Sequence, residues 1–251
     1  MKNKIYFIGA GPGGVEHLTM LGLEKIKASK YVFAPNIYKQ TFKKILKNKD
    51  IFDPFDYLFN DLVKMVEELR KKSPVSFLMP GDDTVFSPFQ PLIDYYREEC
   101  EVIPGVGVVN AASAILKKTL DLPNISNTIV LTSTRSLKSA FEEHDFLYFA
   151  KKDVTLVLYM NHIPLDELTK RLIPVMGENC PIAILYKISL PEQEVIKGTL
   201  KNICKKVRKD YFDSSKEPSM AMIIIGYVLN SKATKTSWDY RKKHIWDKRK
   251  K

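Results

Sequence analysis

The chain is poor in the residues that build covalent or metal-bound scaffolds. Among 251 residues there are only three cysteines, Cys100, Cys180 and Cys204. They are widely spaced and odd in number, which excludes a disulfide framework and any C-x-x-C metal site and leaves reduced thiols. The histidines, His17, His144, His162 and His244, have no ligand spacing, so no metal is expected. No apolar run reaches the roughly 18–20 residues needed to cross a bilayer. Met1 to Lys4 leads straight into Tyr6-Phe7-Ile8-Gly9 without a signal-peptide core. The expectation is a cytoplasmic protein with no membrane association.

Acidic residues are also in deficit, 29 Asp and Glu against 40 Lys and Arg, for a formal net charge of +11. Such an excess attracts polyanions, whether nucleic acid, a membrane surface or a small polycarboxylate, and charge alone does not choose among them. Much of it lies in the solvated stretches 39–49 and 241–251, which suits a plain lysine-rich surface equally well. A nucleic-acid-binding module ranks below the other readings, because no recognition motif with interleaved aromatics is present.

What is present is a globular composition, 45% hydrophobic and 27% charged, enough to bury a full core. Lys4 to Ala10 reads as a buried parallel strand entering a glycine loop, followed by a helix over 19–28 and a strand at Tyr31 to Ala34. Helix 61–72, strand 75–79, helix 91–98 and strand 101–103 continue a β-α alternation that implies a parallel sheet covered by helices. After a helix over 111–116, strands are expected at 128–132, 155–159, 182–186 and 222–228, with helices 165–172 and 200–207 between them. Fewer helices separate these strands, so a second, mixed sheet is expected. The fold class is therefore α/β with two domains, 1–122 and 123–251, joined near Leu120 to Asn127, where Asp121, Pro123 and Asn124 cluster.

Three glycine-bearing clusters carry the chemistry. Gly9-Ala10-Gly11-Pro12-Gly13 lacks the spacing of a dinucleotide loop, since Pro12 removes a donor and Gly13-Gly14 prolongs the turn. An ordinary strand-to-helix turn explains it equally well. Pro80-Gly81-Asp82-Asp83-Thr84-Val85-Phe86 follows a strand at its carboxyl end, where open α/β sheets bind ligands; a helix N-cap at Asp82 or Asp83 is the plainer alternative. Ile103-Pro104-Gly105-Val106-Gly107-Val108 precedes Ala111, Ala112, Ser113 and Ala114, small residues that permit close approach of a neighbour or a ligand.

In this order the clusters resemble the tetrapyrrole methylase family, the class III S-adenosylmethionine-dependent methyltransferases. The resemblance rests on YFIGAGPG, on a G-D-P-x-x-Y-G-like loop at Gly81 to Ser87 and on P-G-V at Pro104 to Val106. It extends through the strand ending at Met160, Pro181-Ile182-Ala183 and Pro191 to Leu200, and so covers almost the whole chain. Leu131 to Arg135 and the tail Asp239 to Asp247 are similar to segments of the family's precorrin-4 and cobalt-precorrin-4 C11-methylating branch. The chain departs from the pattern at Gly14, where an acid is usual, at Asp83 for proline, at Phe86-Ser87 for Tyr-Gly, and at Gly107-Val108 for a pair of small residues.

The resemblance implies two α/β domains with S-adenosyl-L-methionine, converted to S-adenosyl-L-homocysteine, in a cleft between them. The implied cofactor contacts are Pro80, Gly81, Asp82, Val85, Gly107, Val108, Met160, Ala183, Ile188 and Ala221. The implied substrate side comprises Gly11, Pro12, Gly13 and Arg135, the last suited to a tetrapyrrole carboxylate. A homodimer and a role in cobalamin or porphyrin biosynthesis are also implied, whereas no residue is singled out as catalytic. Two alternatives stay open: a same-fold methyltransferase for another precorrin, an RNA or a peptide, and a catalytically silent cofactor-binding relative.

Overall fold

The structure is a computed structural model that describes residues 2–134, 146–161, 163–208, 220–234, 238–239 and 241–250. Its contacts divide the chain into two compact units, Met1–Ala111 with Ile188–Pro191, and Ala112–Lys187 with Glu192–Lys251. The linker expected at residues 120–127 lies inside the second of these.

The first unit is built on a parallel sheet of β1 (Ile5–Gly9), β2 (Tyr31–Phe33), β3 (Asp50–Phe52), β4 (Val75–Met79) and β5 (Cys100–Ile103), in the order β3-β2-β4-β1-β5. Alternate side chains along each strand feed opposite faces. Phe7, Phe33 and Phe77 stack on one face, with ring centroids 5.0 and 4.6 Å apart, while Ile8, Val32 and Leu78 pack into the other. Burial on both sides explains why β1, β2 and β4 read as apolar runs, interrupted only at Ser76, whose hydroxyl lies 2.7 Å from that of Ser29.

Helix α1 (Met20–Ala28) starts where Thr19 accepts the Gly22 N–H at 3.1 Å, and Lys25 and Lys27 occupy its last turn, where cations favour the helix dipole. It follows a turn at Val15–His17 rather than the glycine loop itself. α2 (Asn36–Thr41) and β3 were not expected. Pro35 read as a strand stop, yet it also serves as the α2 N-cap. α3 (Phe59–Leu69) buries Leu62, Val63 and Val66 on one stripe. Its C-cap residue Arg70 is buried and bonded to Glu67 and Glu99. α4 (Gln90–Tyr96) leads into β5, and α5 (Val108–Leu116) follows it.

The second unit carries a mixed sheet of β6 (Thr128–Ser133), β7 (Val154–Tyr159), β8 (Pro181–Tyr186), β9 (Glu194–Thr199) and β10 (Ala221–Ile225), in the order β6-β7-β10-β8-β9. Only β6 and β7 pair in parallel. α6 (Leu165–Met176) covers the sheet with Leu165, Leu168, Leu172 and Met176, the three-and-four spacing of a core-facing helix.

Two expectations are corrected here. The helix expected over 200–207 is a single turn at Ile203–Lys205. The chain leaves β9 through a tight turn in which Asn202 Oδ1 accepts the Thr199 N–H at 2.9 Å, a side-chain bond that competes with helix formation at the expected start. The last strand ends at Ile225 rather than at Val228, where Gly226 passes into the turn Tyr227–Leu229.

Candidate functional site

The carboxyl ends of β1, β4 and β5 lie side by side, because β1 is hydrogen-bonded to both of the others in the same direction. The three glycine-bearing clusters therefore meet at one edge of the sheet, where ligands of open α/β folds bind. Gly11 and Gly81 bond each other reciprocally, N to O at 3.0 and 2.9 Å. A Cβ on Gly9 would lie 2.6 Å from the Gly105 nitrogen, so the first and third loops touch backbone to backbone. Gly81 adopts φ 82°, a left-handed conformation that glycine takes without strain.

Asp82 ties the second loop to the third. Its Oδ2 accepts the Gly105 N–H at 2.6 Å, and its Oδ1 accepts the Thr84 N–H at 2.8 Å together with the Thr84 hydroxyl. Partial burial pushes this carboxyl up, but the bonds from Thr84 and Gly105 outweigh burial and hold it below the ordinary carboxylate value. Asp82 is thus a turn-former, and no helix starts at it: α4 begins at Gln90. Val85 and Phe86 present exposed apolar surface on the same loop.

Asp83 is the opposite case. It is 2% exposed, one oxygen lies 3.2 Å from Ser87 Oγ, and Oδ2 has no hydrogen-bond partner among the described residues. Burial pushes its carboxyl up to about 7; the Ser87 bond opposes that shift and the neighbouring Asp82 charge adds to it. Beneath the loops, the buried Tyr38 hydroxyl donates to the Gly11 carbonyl at 2.5 Å, and burial drives its pKa upward, so it remains a neutral donor.

The remaining residues singled out by the sequence separate by unit. Gly107 and Val108 open α5 in the first unit, and a Cβ on Gly81 would approach Val108 Cγ2 at 3.0 Å. Pro12 and Gly13 continue the first loop, with Leu190 and Ser189 against Gly13, and the buried Ile188 opens that same short segment. His17 Nε2 is 3.5 Å from Ser189 Oγ.

In the second unit, Met160 directly follows β7 and Ala221 opens β10. The antiparallel pairing of these strands puts both at one sheet edge. Ala183 lies in the body of β8, opposite Ile224 and Lys197. Met160 and Lys187, just beyond β7 and β8, have φ of 45° and 46°, strained values for side-chain-bearing residues. Arg135, His144 and His162 lie outside the described residues.

Comparison with known proteins identifies the architecture. The family model for Tetrapyrrole (Corrin/Porphyrin) Methylases matches residues 4–204. The chain belongs to the tetrapyrrole methylases. Among curated relatives, cobalt-precorrin-4 C(11)-methyltransferase of Methanocaldococcus jannaschii is 29% identical, with 91% of this chain and 89% of the relative covered. Precorrin-4 C(11)-methyltransferase of Pseudomonas aeruginosa is 26% identical, with 96% of each covered. Among solved structures, a cobalt precorrin-4 methyltransferase of cobalamin biosynthesis superposes with TM-score 0.73 at 22% identity, covering 91% of this chain and 96% of that one. The uroporphyrin-III C-methyltransferase of Thermus thermophilus, complexed with S-adenosylhomocysteine, gives 0.68 at 20% identity, covering 91% and 99%. At these identities the structural matches establish the fold.

Within this methylase, sequence reasoning noticed Ser87 only as a departure, read Asp83 as a departure or a helix cap although the next helix starts at Gln90, and missed Tyr38 and Thr84. An Asp followed two residues later by Thr is a recognisable side-chain turn signal and would have found Thr84. Nothing local announces Tyr38, whose partner Gly11 is 27 residues distant.

Proposed function

We propose that this methylase is an S-adenosyl-L-methionine-dependent C-methyltransferase of cobalamin biosynthesis, acting at C11 of precorrin-4 or cobalt-precorrin-4. The observation that carries this reading is end-to-end similarity to relatives bearing that name, over 91% and 96% of the chain. A homodimer in the cytoplasm is part of the same reading, and among the described residues no helix is long and apolar enough to cross a membrane.

The residues fit the cofactor chemically. An adenosyl sulfonium combines a cationic centre with apolar and hydrogen-bonding parts. The Gly81 loop offers the ionised Asp82 beside exposed Val85 and Phe86, with no cation paired to that carboxyl among the described residues. When bound, the sulfonium supplies an activated methyl group for in-line displacement by a carbon nucleophile.

The chain's own contribution is then mainly positioning, since the nucleophile must be held about 3–3.5 Å from the methyl carbon in line with the breaking bond. Asp82 holds two loops in register through Gly105. Tyr38 holds the Gly11 carbonyl on the proposed substrate side. Pro80, Gly107, Val108, Ile188, Met160, Ala183 and Ala221 are assigned to the cofactor, and Gly11, Pro12, Gly13 and Arg135 to the substrate. The carboxylates of the macrocycle give the net charge of +11 a use in attraction and orientation.

The test is calorimetric titration with S-adenosylhomocysteine, followed by incubation with precorrin-4 and methyl-labelled cofactor. Micromolar binding and label recovered at C11 are expected. Binding without transfer to any precorrin would favour the silent relative, transfer at another carbon would favour a sister specificity, and failure to bind would remove the methyltransferase reading.

A further inference from the structure

Asp83 and Ser87 stand where the family pattern has proline and glycine, and the two departures are joined to each other. Ser87 Oγ lies 3.2 Å from Asp83 Oδ1 and accepts the Phe89 N–H at 3.1 Å, so its own hydrogen is directed to the carboxyl. The bond closes a ring over Val85 and Phe86. Phe86 has φ 56°, a conformation that an L residue keeps only under constraint. On the far side of the bond, Asp83 Oδ2 is buried without a partner among the described residues.

The titratable groups facing Asp83 are Asp82 on the same loop and Tyr38 from α2, and among the described residues no lysine or arginine pairs with it. Ionised, Asp83 would expose a bare oxygen to a dry site beside a second negative charge. Neutral, it carries no such penalty.

We infer that Asp83 is a positioning residue that holds the Gly81–Ser87 loop in its ligand-receiving shape while its carboxyl is neutral and releases the loop when ionised, so ligand capture weakens as the solution turns alkaline. The identity of the ligand rests on the cofactor reading above; the latch itself does not. Burial places the changeover at about 7. If only the neutral form binds, the apparent Kd rises about thirtyfold from pH 6 to pH 8.5.

The test is calorimetric titration of the whole chain with S-adenosylhomocysteine across that range, for the wild type, Asp83→Asn and Ser87→Ala. Asparagine imitates the neutral acid, so Asp83→Asn should bind with one affinity throughout, and the ratio of the two chains cancels the ligand's own titration. Ser87→Ala should bind weakly even at pH 6. A flat wild-type profile, or an Asn profile equally steep, overturns the latch. Complete absence of binding by the wild type would end the cofactor reading instead. Hydrogen exchange of residues 81–89 without ligand, corrected for intrinsic rates, would then decide: protection lost above neutrality only in the wild type supports the latch, and equal protection in both chains refutes it.

Discussion

Replacing Asp83 by asparagine should stabilise the fold in alkali and leave it unchanged in acid. The folded carboxyl titrates at about 7 against an ordinary 3.8, so the unfolded chain loses this proton first. Stability is complete below about pH 4, falls as the pH rises, and levels off once the folded carboxyl has ionised. A shift of about 3 units at about 1.4 kcal/mol each gives about 4 kcal/mol lost across that window. Because the residue is 2% exposed, solvent screening trims little of it. Asparagine does not titrate, so the two chains should match near pH 4 and diverge by up to about 4 kcal/mol above neutrality. Urea unfolding followed by far-ultraviolet circular dichroism, extrapolated linearly at each pH, measures this. Fluorescence is the wrong probe, since both tryptophans, Trp238 and Trp246, belong to the second unit. Parallel stability curves for the two chains would refute the reasoning.

Gly105→Ala would place a Cβ 2.5 Å from the Gly9 carbonyl carbon and oxygen, backbone atoms that cannot swing aside. A loss of roughly 3 kcal/mol or more is expected in thermal unfolding, by analogy with overpacking, together with weakened cofactor binding; a Tm within a degree of the wild type would contradict the close approach. Tyr38→Phe removes one of two donors to the buried Gly11 carbonyl, which keeps the Gly81 N–H at 2.9 Å, so it should cost about 0.5–1.5 kcal/mol, the worth of a single hydrogen bond. Its effect should fall on KM for the tetrapyrrole more than on cofactor Kd, and steady-state kinetics beside calorimetry would show the reverse split if Tyr38 served the cofactor side.

The parallel sheet was legible because its central strands are buried on both faces, so Ile5 to Gly9 and, apart from Ser76, Val75 to Met79 read as apolar runs. β3 was not legible: Asp50, Ile51 and Phe52 form a short edge strand only partly covered. β9 was hidden for a similar reason. Its residues Glu194 to Thr199 bury only Ile196 fully, and a one-sided edge strand mixes charge with apolar residues. At the candidate site the glycine loops were visible because backbone proximity demands glycine locally. Asp82 was read as a ligand group or a helix cap, since its real partner, Gly105, lies 23 residues away. Pairings at that range, like Tyr38 with Gly11, leave no periodicity for a sequence reading to find.

The order of strands in the second sheet has a consequence for how the protein is made. β10, the last strand in the chain, lies between β7 and β8, and every one of its residues is buried. A nascent chain must therefore hold two unpaired strand edges apart until Ile225 has left the ribosome, whereas every strand of the first sheet has been synthesised by Ile103. Premature termination before Ala221 would leave those edges open for other chains to pair with, so a truncated product should aggregate rather than persist as a smaller folded fragment.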